Sequence, residues 1–66
     1  MMKYNTEAIK KLLEEEKISQ SDFARKIGSS RQKVYNWLTL GDKPDVEALV
    51  TIANVFGKDM TYFFNL

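Results

Sequence analysis

The middle of the chain carries an excess of basic side chains, the sequence feature with the clearest chemical use. The formal net charge is only +1, but residues 17–43 hold six Lys or Arg against two Asp and sum to +4. The stretches 1–16 and 44–66 sum to −1 and −2. A local basic patch attracts a polyanion even when the whole molecule is nearly neutral. The distribution therefore indicates a surface that faces a polyanion, with an ordinary solvated face as the alternative.

The sequence lacks the residues that most enzymes use for catalysis. The chain has no Cys and no His, so a thiolate nucleophile, the commonest general base and the commonest metal ligand are all missing. Glu14, Glu15 and Glu16 are adjacent, and adjacent helical residues point in different directions, which predicts a solvated helix end rather than a carboxylate pair. We expect no enzymatic activity, no catalytic residue, no cofactor, no metal site and no small-molecule substrate.

Length and composition predict one small globular unit. The chain has 66 residues, of which 44% are apolar and 29% are charged, and we expect a single domain over residues 1–66. No apolar stretch approaches the roughly 20 residues of a membrane span, and the first residues lack the apolar segment of a signal peptide. We therefore expect a cytoplasmic protein that does not bind a membrane.

Helical periodicity and capping residues predict an all-α fold, a compact bundle of four to five short helices. In the first helix, Ile9, Leu12 and Leu13 share one face; Asn5 or Thr6 caps it, and it ends at about Lys17. No stretch of the sequence shows the alternation of a strand.

Boundary residues define the second and third helices. Ser19 is the expected cap of a helix over 20–27, which Gly28 ends because glycine adopts the left-handed conformation that often closes a helix. Ser30 is the expected cap of a third helix, which runs from Arg31 to about Leu38.

Two further helical segments follow a loop that contains Gly41 and Pro44. Asp45 is the expected cap of the fourth helix, and Gly57 ends it. Asp59 is the expected cap of a final helix over 60–65, whose aromatic residues close the core or form an interface. The expected buried stripe of the fourth helix is Val46, Leu49, Val50, Ala53 and Phe56.

The second and third helices have the residue pattern of two helices joined by a tight turn. Such a pair needs a small residue at the close approach, a tolerant turn residue and inward apolar side chains. Those positions are Gln20, Ala24, Gly28, Val34 and Trp37. With Ile18–Gly28, Pro44, Leu49–Ala53 and Phe56–Gly57, the chain resembles the lambda-repressor and Cro family of helix-turn-helix domains, the Xre type, over about residues 5–64.

The resemblance implies a DNA-binding domain whose third helix enters the major groove. Arg pairs bidentately with guanine, and Gln or Asn pairs with adenine. Side chains in the turn and at helix ends hold the phosphate backbone. By position, the base-reading residues are Arg31, Gln32, Asn36 and Tyr35, and the residues that contact the backbone or an outer base are Ser19, Gln20, Ser30, Lys33, Thr39 and Lys43.

The resemblance also implies a function and its partners. It indicates a sequence-specific, double-stranded DNA-binding transcriptional regulator of Cro or repressor type, nucleoid-associated in a bacterium or a phage-infected cell. We expect a homodimer through the fourth and fifth helices, bound to a near-palindromic operator with half-sites roughly 34 Å apart. The alternative is a helical protein-interaction module, either an adaptor or an antitoxin-like protein, with the same fold.

One departure from the family pattern concerns the end of the third helix. Gly41 comes one residue later than the glycine that is usual in the family. We therefore expect the third helix to run longer than in its relatives, which affects the placement of Thr39 and Lys43.

Overall fold

The chain folds mainly into short helices, as predicted. The computed structural model describes residues 3–65; Met1, Met2 and Leu66, which belong to the expected domain 1–66, lie outside the described residues. The elements in chain order are strand β1 (Lys3–Tyr4), helices α1 (Ala8–Glu16), α2 (Gln20–Ile27) and α3 (Arg31–Tyr35), a π-helical turn (Asn36–Leu40), helix α4 (Val46–Phe56), a 3₁₀ helix (Met60–Phe63) and strand β2 (Phe64–Asn65). The fold class of a small helical bundle with a helix-turn-helix is therefore confirmed.

Four of the predicted helix starts are capped by the predicted side chains. Each capping oxygen accepts a backbone N–H from the first turn, which satisfies a donor that has no partner within the helix. The bonds are Asp22 N–H to Ser19 Oγ, Lys33 N–H to Ser30 Oγ, Ala48 N–H to Asp45 Oδ1 and Thr61 N–H to Asp59 Oδ1.

The start of α1 differs from the prediction. The helix begins at Ala8 rather than directly after Asn5 or Thr6, and its N-cap, Glu7, makes no capping bond with its side chain. Asn5 instead accepts the N–H of Glu7 through Oδ1 at 3.0 Å, which is a local turn ahead of the helix. The capping prediction is wrong because the Asn5 side chain stabilises that turn.

The core lies between α1, α2, α3 and α4, and its side chains explain a second correction. On α4, Val46 is 67% exposed and Val50 is 42% exposed, whereas Ile52, absent from the predicted stripe, is fully buried. Because α4 packs against both α2 and the 3₁₀ helix, its buried face is rotated toward Ile52. The buried core consists of Ala8, Ile9, Leu12, Leu13, Phe23, Ala24, Ile27, Val34, Trp37, Leu49, Ile52, Ala53 and Phe63.

The chain ends meet in a small antiparallel pair that the sequence analysis did not predict. Tyr4 pairs with Phe64, and Lys3 with Asn65; the Asn5 N–H also donates to the Phe63 carbonyl at 2.8 Å. The predicted final helix over 60–65 therefore stops at Phe63. Strands of two residues are too short to show alternation, so periodicity did not detect them.

A side-chain cluster joins the end of α1 to the 3₁₀ helix. The Tyr62 O–H donates to Glu15 Oε1 at 2.7 Å, and Lys58 Nζ lies 3.7 Å from the same oxygen. Lys58 Nζ is also 5.0 Å from the centroid of the Tyr62 ring. Desolvation and the bond to Glu15 raise the pKa of Tyr62 to about 12, and the hydrogen bond from Tyr62 holds the pKa of Glu15 below its ordinary value.

The Tyr62–Glu15 bond predicts a pH-dependent contribution to stability. Because the folded pKa of Tyr62 is raised, its contribution is present below its ordinary pKa of 10.0 and is lost as pH rises toward about 12. The lowered pKa of Glu15 acts in the opposite sense, so its contribution is lost as pH falls below 4.5. The stability difference between wild type and Tyr62→Phe is therefore largest near neutral pH and shrinks at both extremes.

The measurement is urea unfolding followed by Trp37 fluorescence across this pH range. Glu15→Gln is the matched control, since it keeps an acceptor for the Tyr62 hydroxyl and removes the titrating carboxylate. When Glu15→Gln replaces wild type as the background, the effect of Tyr62→Phe on the free energy of unfolding should no longer shrink at acid pH. A difference between wild type and Tyr62→Phe that stays constant from acid pH, below the lowered pKa of Glu15, to pH 12 contradicts this assignment.

Candidate functional site

The turn between α2 and α3 has the geometry that the sequence predicts. Gly28 has φ 70°, and its N–H donates to the Arg25 carbonyl while the Ser29 N–H donates to the Ala24 carbonyl. No atom lies within 4 Å of the place a Cβ on Gly28 would occupy, so the left-handed backbone, not a lack of space, favours glycine. Ala24 is buried beneath the turn, where a small side chain lets the two helices approach.

The inward residues of α3 and of the π-helical turn that continues it determine which side chains point outward. Val34 is fully buried and Trp37 is 6% exposed. On a helix of 3.6 residues per turn, Gln32, Tyr35 and Asn36 then lie on the opposite side. Tyr35 is 47% exposed, Gln32 is exposed, and Asn36 is half-buried. Three of the four predicted base-reading side chains therefore share one outward surface.

Arg31 and Lys33 are exposed on the two flanks of this surface. Arg31 Nη1 donates to Ser21 Oγ of α2 at 3.4 Å, so the guanidinium lies toward α2. Lys33 lies on the other flank, where it lines a groove between α3 and α4. The structure thus brings Gln32, Tyr35 and Asn36 together and separates the two cations.

Gln32 and Asn36 are joined by a side-chain hydrogen bond. Gln32 Nε2 donates to Asn36 Oδ1 at 2.9 Å, across one helical turn. Without a ligand, the two amides are therefore hydrogen-bonded to each other.

The predicted contacts at the starts of α2 and α3 are partly engaged within the protein. The hydroxyl oxygens of Ser19 and Ser30 accept backbone N–H groups at 3.1 Å and 3.2 Å. A serine hydroxyl that accepts such a bond keeps its O–H as a donor, and both residues are exposed. Gln20, the first residue of α2, is exposed beside Ser19. All three side chains remain suited to a phosphate oxygen.

Helical backbone continues after α3 as far as Leu40, two residues beyond the predicted end at about Leu38. Residues Asn36–Leu40 form a π-helical turn that Gly41 closes with φ 74°, and the Gly41 N–H donates to the Asn36 carbonyl. A π turn accommodates an additional residue within a helix. Thr39 is exposed on this turn, and Lys43 follows it with Nζ 5.6 Å from the centroid of the Phe64 ring.

The groove beside Lys33 has mixed charge. It encloses about 750 Å³ between the turn after α2, the π turn and the start of α4. Lys33 and Lys43 line it together with Asp42, Asp45 and Glu47. These carboxylates at the edge of the site were not predicted from the sequence, and they weaken the attraction for an anion there.

Sequence reasoning missed Ser21, which holds Arg31. Ser21 is ten positions from Arg31, and the only feature of the sequence that could have indicated it is its place in the first turn of α2.

Among residues 3–65, no group of three or more His, Cys, Asp or Glu side chains is arranged to hold a metal ion. No helix in that range is long and apolar enough to cross a membrane.

Comparison with known proteins identifies the arrangement. A family model described as Helix-turn-helix matches residues 9–63, from α1 through the 3₁₀ helix. Comparisons with curated proteins and with solved structures found no match.

The cap of α3 supports a stability prediction. Ser30→Ala removes the acceptor for the Lys33 N–H and should lower the free energy of unfolding by about 1 kcal/mol. Ser29→Ala is the matched control and should change stability by less than about 0.5 kcal/mol, because none of the side-chain hydrogen bonds within residues 3–65 involves Ser29 Oγ. Chemical denaturation of both variants checks this. Equal losses in the two variants would contradict the capping role.

Proposed function

The chain belongs to the lambda-repressor-like, Xre-type helix-turn-helix family, and from this premise we propose that it is a sequence-specific, double-stranded DNA-binding transcriptional regulator. We assign it to the Cro or repressor type, acting in a bacterium or on behalf of a phage. The family match supports DNA binding, and the finer assignment rests on the residues of the site.

The observation that carries the proposal is the outward surface of α3. An α-helix with its side chains is about 10–12 Å across and fits the major groove, which is about 12 Å wide. Gln32, Tyr35 and Asn36 face outward, while Val34 and Trp37 hold the helix from below. Hydrogen-bonding side chains on the exposed face of a firmly packed helix are suited to reading base edges.

We assign the flanking residues to the DNA backbone. Ser19, Gln20 and Ser30 lie at helix starts, where free N–H groups and the positive end of the helix dipole favour a phosphate. Lys33 and Lys43 line the groove beside α4, Thr39 is exposed on the π turn, and we assign all three to the DNA backbone. Arg31 Nη1 is 3.4 Å from Ser21 Oγ, and we propose that the guanidinium exchanges this contact for a guanine or a phosphate on docking.

Fluorescence anisotropy with a mixed-sequence duplex of about 30 bp tests DNA binding by this surface. We expect the affinity to fall as salt rises, because bound phosphates release counterions. Arg31→Ala and Lys33→Ala should weaken binding, and Lys33→Ala should reduce the salt slope by about one.

Lys10→Ala is the control, because it removes the same charge from an exposed position on α1, which supplies none of the assigned residues. It should bind as the wild type does. If the wild type does not bind the duplex even at low salt, the alternative of a protein-interaction module of the adaptor or antitoxin type is favoured.

We further propose that the protein binds its operator as a homodimer through α4. Phe63 is fully buried and Phe64 packs against the core, so the C-terminal aromatics serve the chain's own core more than an interface. Val46 and Val50 are exposed apolar side chains one turn apart on α4. We assign to them the contact with a second copy of the chain. A two-fold dimer matches a near-palindromic operator with half-sites roughly 34 Å apart.

Light scattering after size exclusion tests the dimer, both free and on a duplex with two half-sites. The double variant Val46→Glu/Val50→Glu should be monomeric and bind that duplex roughly tenfold or more weakly, because two linked half-sites bind with avidity. Val55→Glu is the control; Val55 is also exposed, about two and a half turns from Val46 and so on the other side of α4. A wild type that stays monomeric on DNA contradicts the proposal.

A further inference from the structure

The hydrogen bond between Gln32 and Asn36 limits what Gln32 can offer to a base. The Gln32 amide has two N–H donors and one acceptor oxygen, and one donor is used by Asn36 Oδ1 at 2.9 Å. Gln32 therefore presents one N–H and the acceptor Oε1. Asn36, which is half-buried and less free to move than the exposed Gln32, holds the amide in this orientation.

We propose that Asn36 is a positioning residue that makes Gln32 select adenine over guanine; this inference rests on the proposed function. In the major groove adenine offers one acceptor, N7, and one donor, N6–H₂. The remaining N–H and Oε1 of Gln32 complement that pair. Guanine offers two acceptors, N7 and O6, and a Gln amide serves both only by using its two N–H donors. With one donor held by Asn36, the contact to guanine is incomplete.

The same bond leaves Asn36 with a defined role of its own. Its Oδ1 already accepts from Gln32, and Asn36 retains both N–H donors of Nδ2 for the major groove. Those donors match an acceptor on a neighbouring base pair, such as thymine O4 or guanine O6. Gln32 and Asn36 thus read two adjacent base pairs as one coupled unit.

The positions of Arg31 and Lys33, on the two flanks of α3, support the assignment of base reading to the two amides. Arg31, the side chain best suited to guanine, is held toward α2 by Ser21, and Lys33 lies at the groove beside α4. The outward centre of α3 is left to the two amides and Tyr35, so discrimination there depends on how the amides are oriented.

The test begins with selection of an operator from random duplexes by the wild-type protein. The operator position that Gln32 reads is the one where Gln32→Ala abolishes the base preference of the wild type. Duplexes that carry each of the four bases at this position are then compared. We expect the wild type to prefer adenine over guanine there by roughly tenfold or more, the size of one bidentate contact. Asn36→Ala frees the second N–H of Gln32, and the preference should fall to about threefold or less.

Two conservative variants separate positioning from a general loss of binding. Asn36→Asp keeps an acceptor oxygen for Gln32, so the preference for adenine should survive although the added negative charge lowers the affinity for every site. Gln32→Glu offers only acceptors, so the preference should move from adenine to cytosine, whose N4 is a donor.

The outcomes distinguish this inference from the proposed function. If no operator can be selected, the proposed function fails. If an operator is found but Asn36→Ala keeps the wild-type preference and weakens all sites equally, the positioning role is overturned. It is also overturned if no position responds to Gln32→Ala, or if that position prefers a base other than adenine.

Discussion

The burial of Val34 and Trp37 beneath α3 is the contact on which the presented surface depends. The α-helical part of α3 is only five residues long, far shorter than a helix that is stable alone in water. Its conformation therefore comes from the core below it, from the Ser30 cap and from the π turn that follows. Because the inward positions are fixed, the opposite side chains must face solvent, and the amide pair is displayed on a firmly held support.

The C-terminal segment completes the same core from a distant part of the chain. Phe63 is fully buried, its carbonyl accepts the Asn5 N–H, and Tyr62 reaches Glu15, 47 positions earlier. These contacts close α1 against the end of the chain. In so small a domain the core is only just large enough, so the aromatic tail stabilises the fold that supports α3.

The fold divides the basic middle of the chain rather than gathering it into one patch. Arg25 pairs with Asp22 at 3.0 Å, Arg31 lies toward Ser21, and Lys33 shares its groove with carboxylates. Positive charge is therefore spread over the flanks of α3. The centre of the outward surface of α3 is neutral and carries hydrogen-bonding side chains. Proteins that bind DNA likewise separate contacts to the phosphate backbone from contacts to the bases.

The sequence by itself determined the helical class, the caps Ser19, Ser30 and Asp45, the turn at Gly28 and the inward placement of Val34 and Trp37. These features rest on interactions between residues a few positions apart, which spacing and side-chain type reveal. Only the tertiary structure decided the strand pair, the buried face of α4 and the partner of Arg31. Each of these depends on contacts between different elements, which local spacing does not reveal. The Gln32–Asn36 bond is local, because residues four apart share one face of a helix; the core beneath decides only that this face is turned outward.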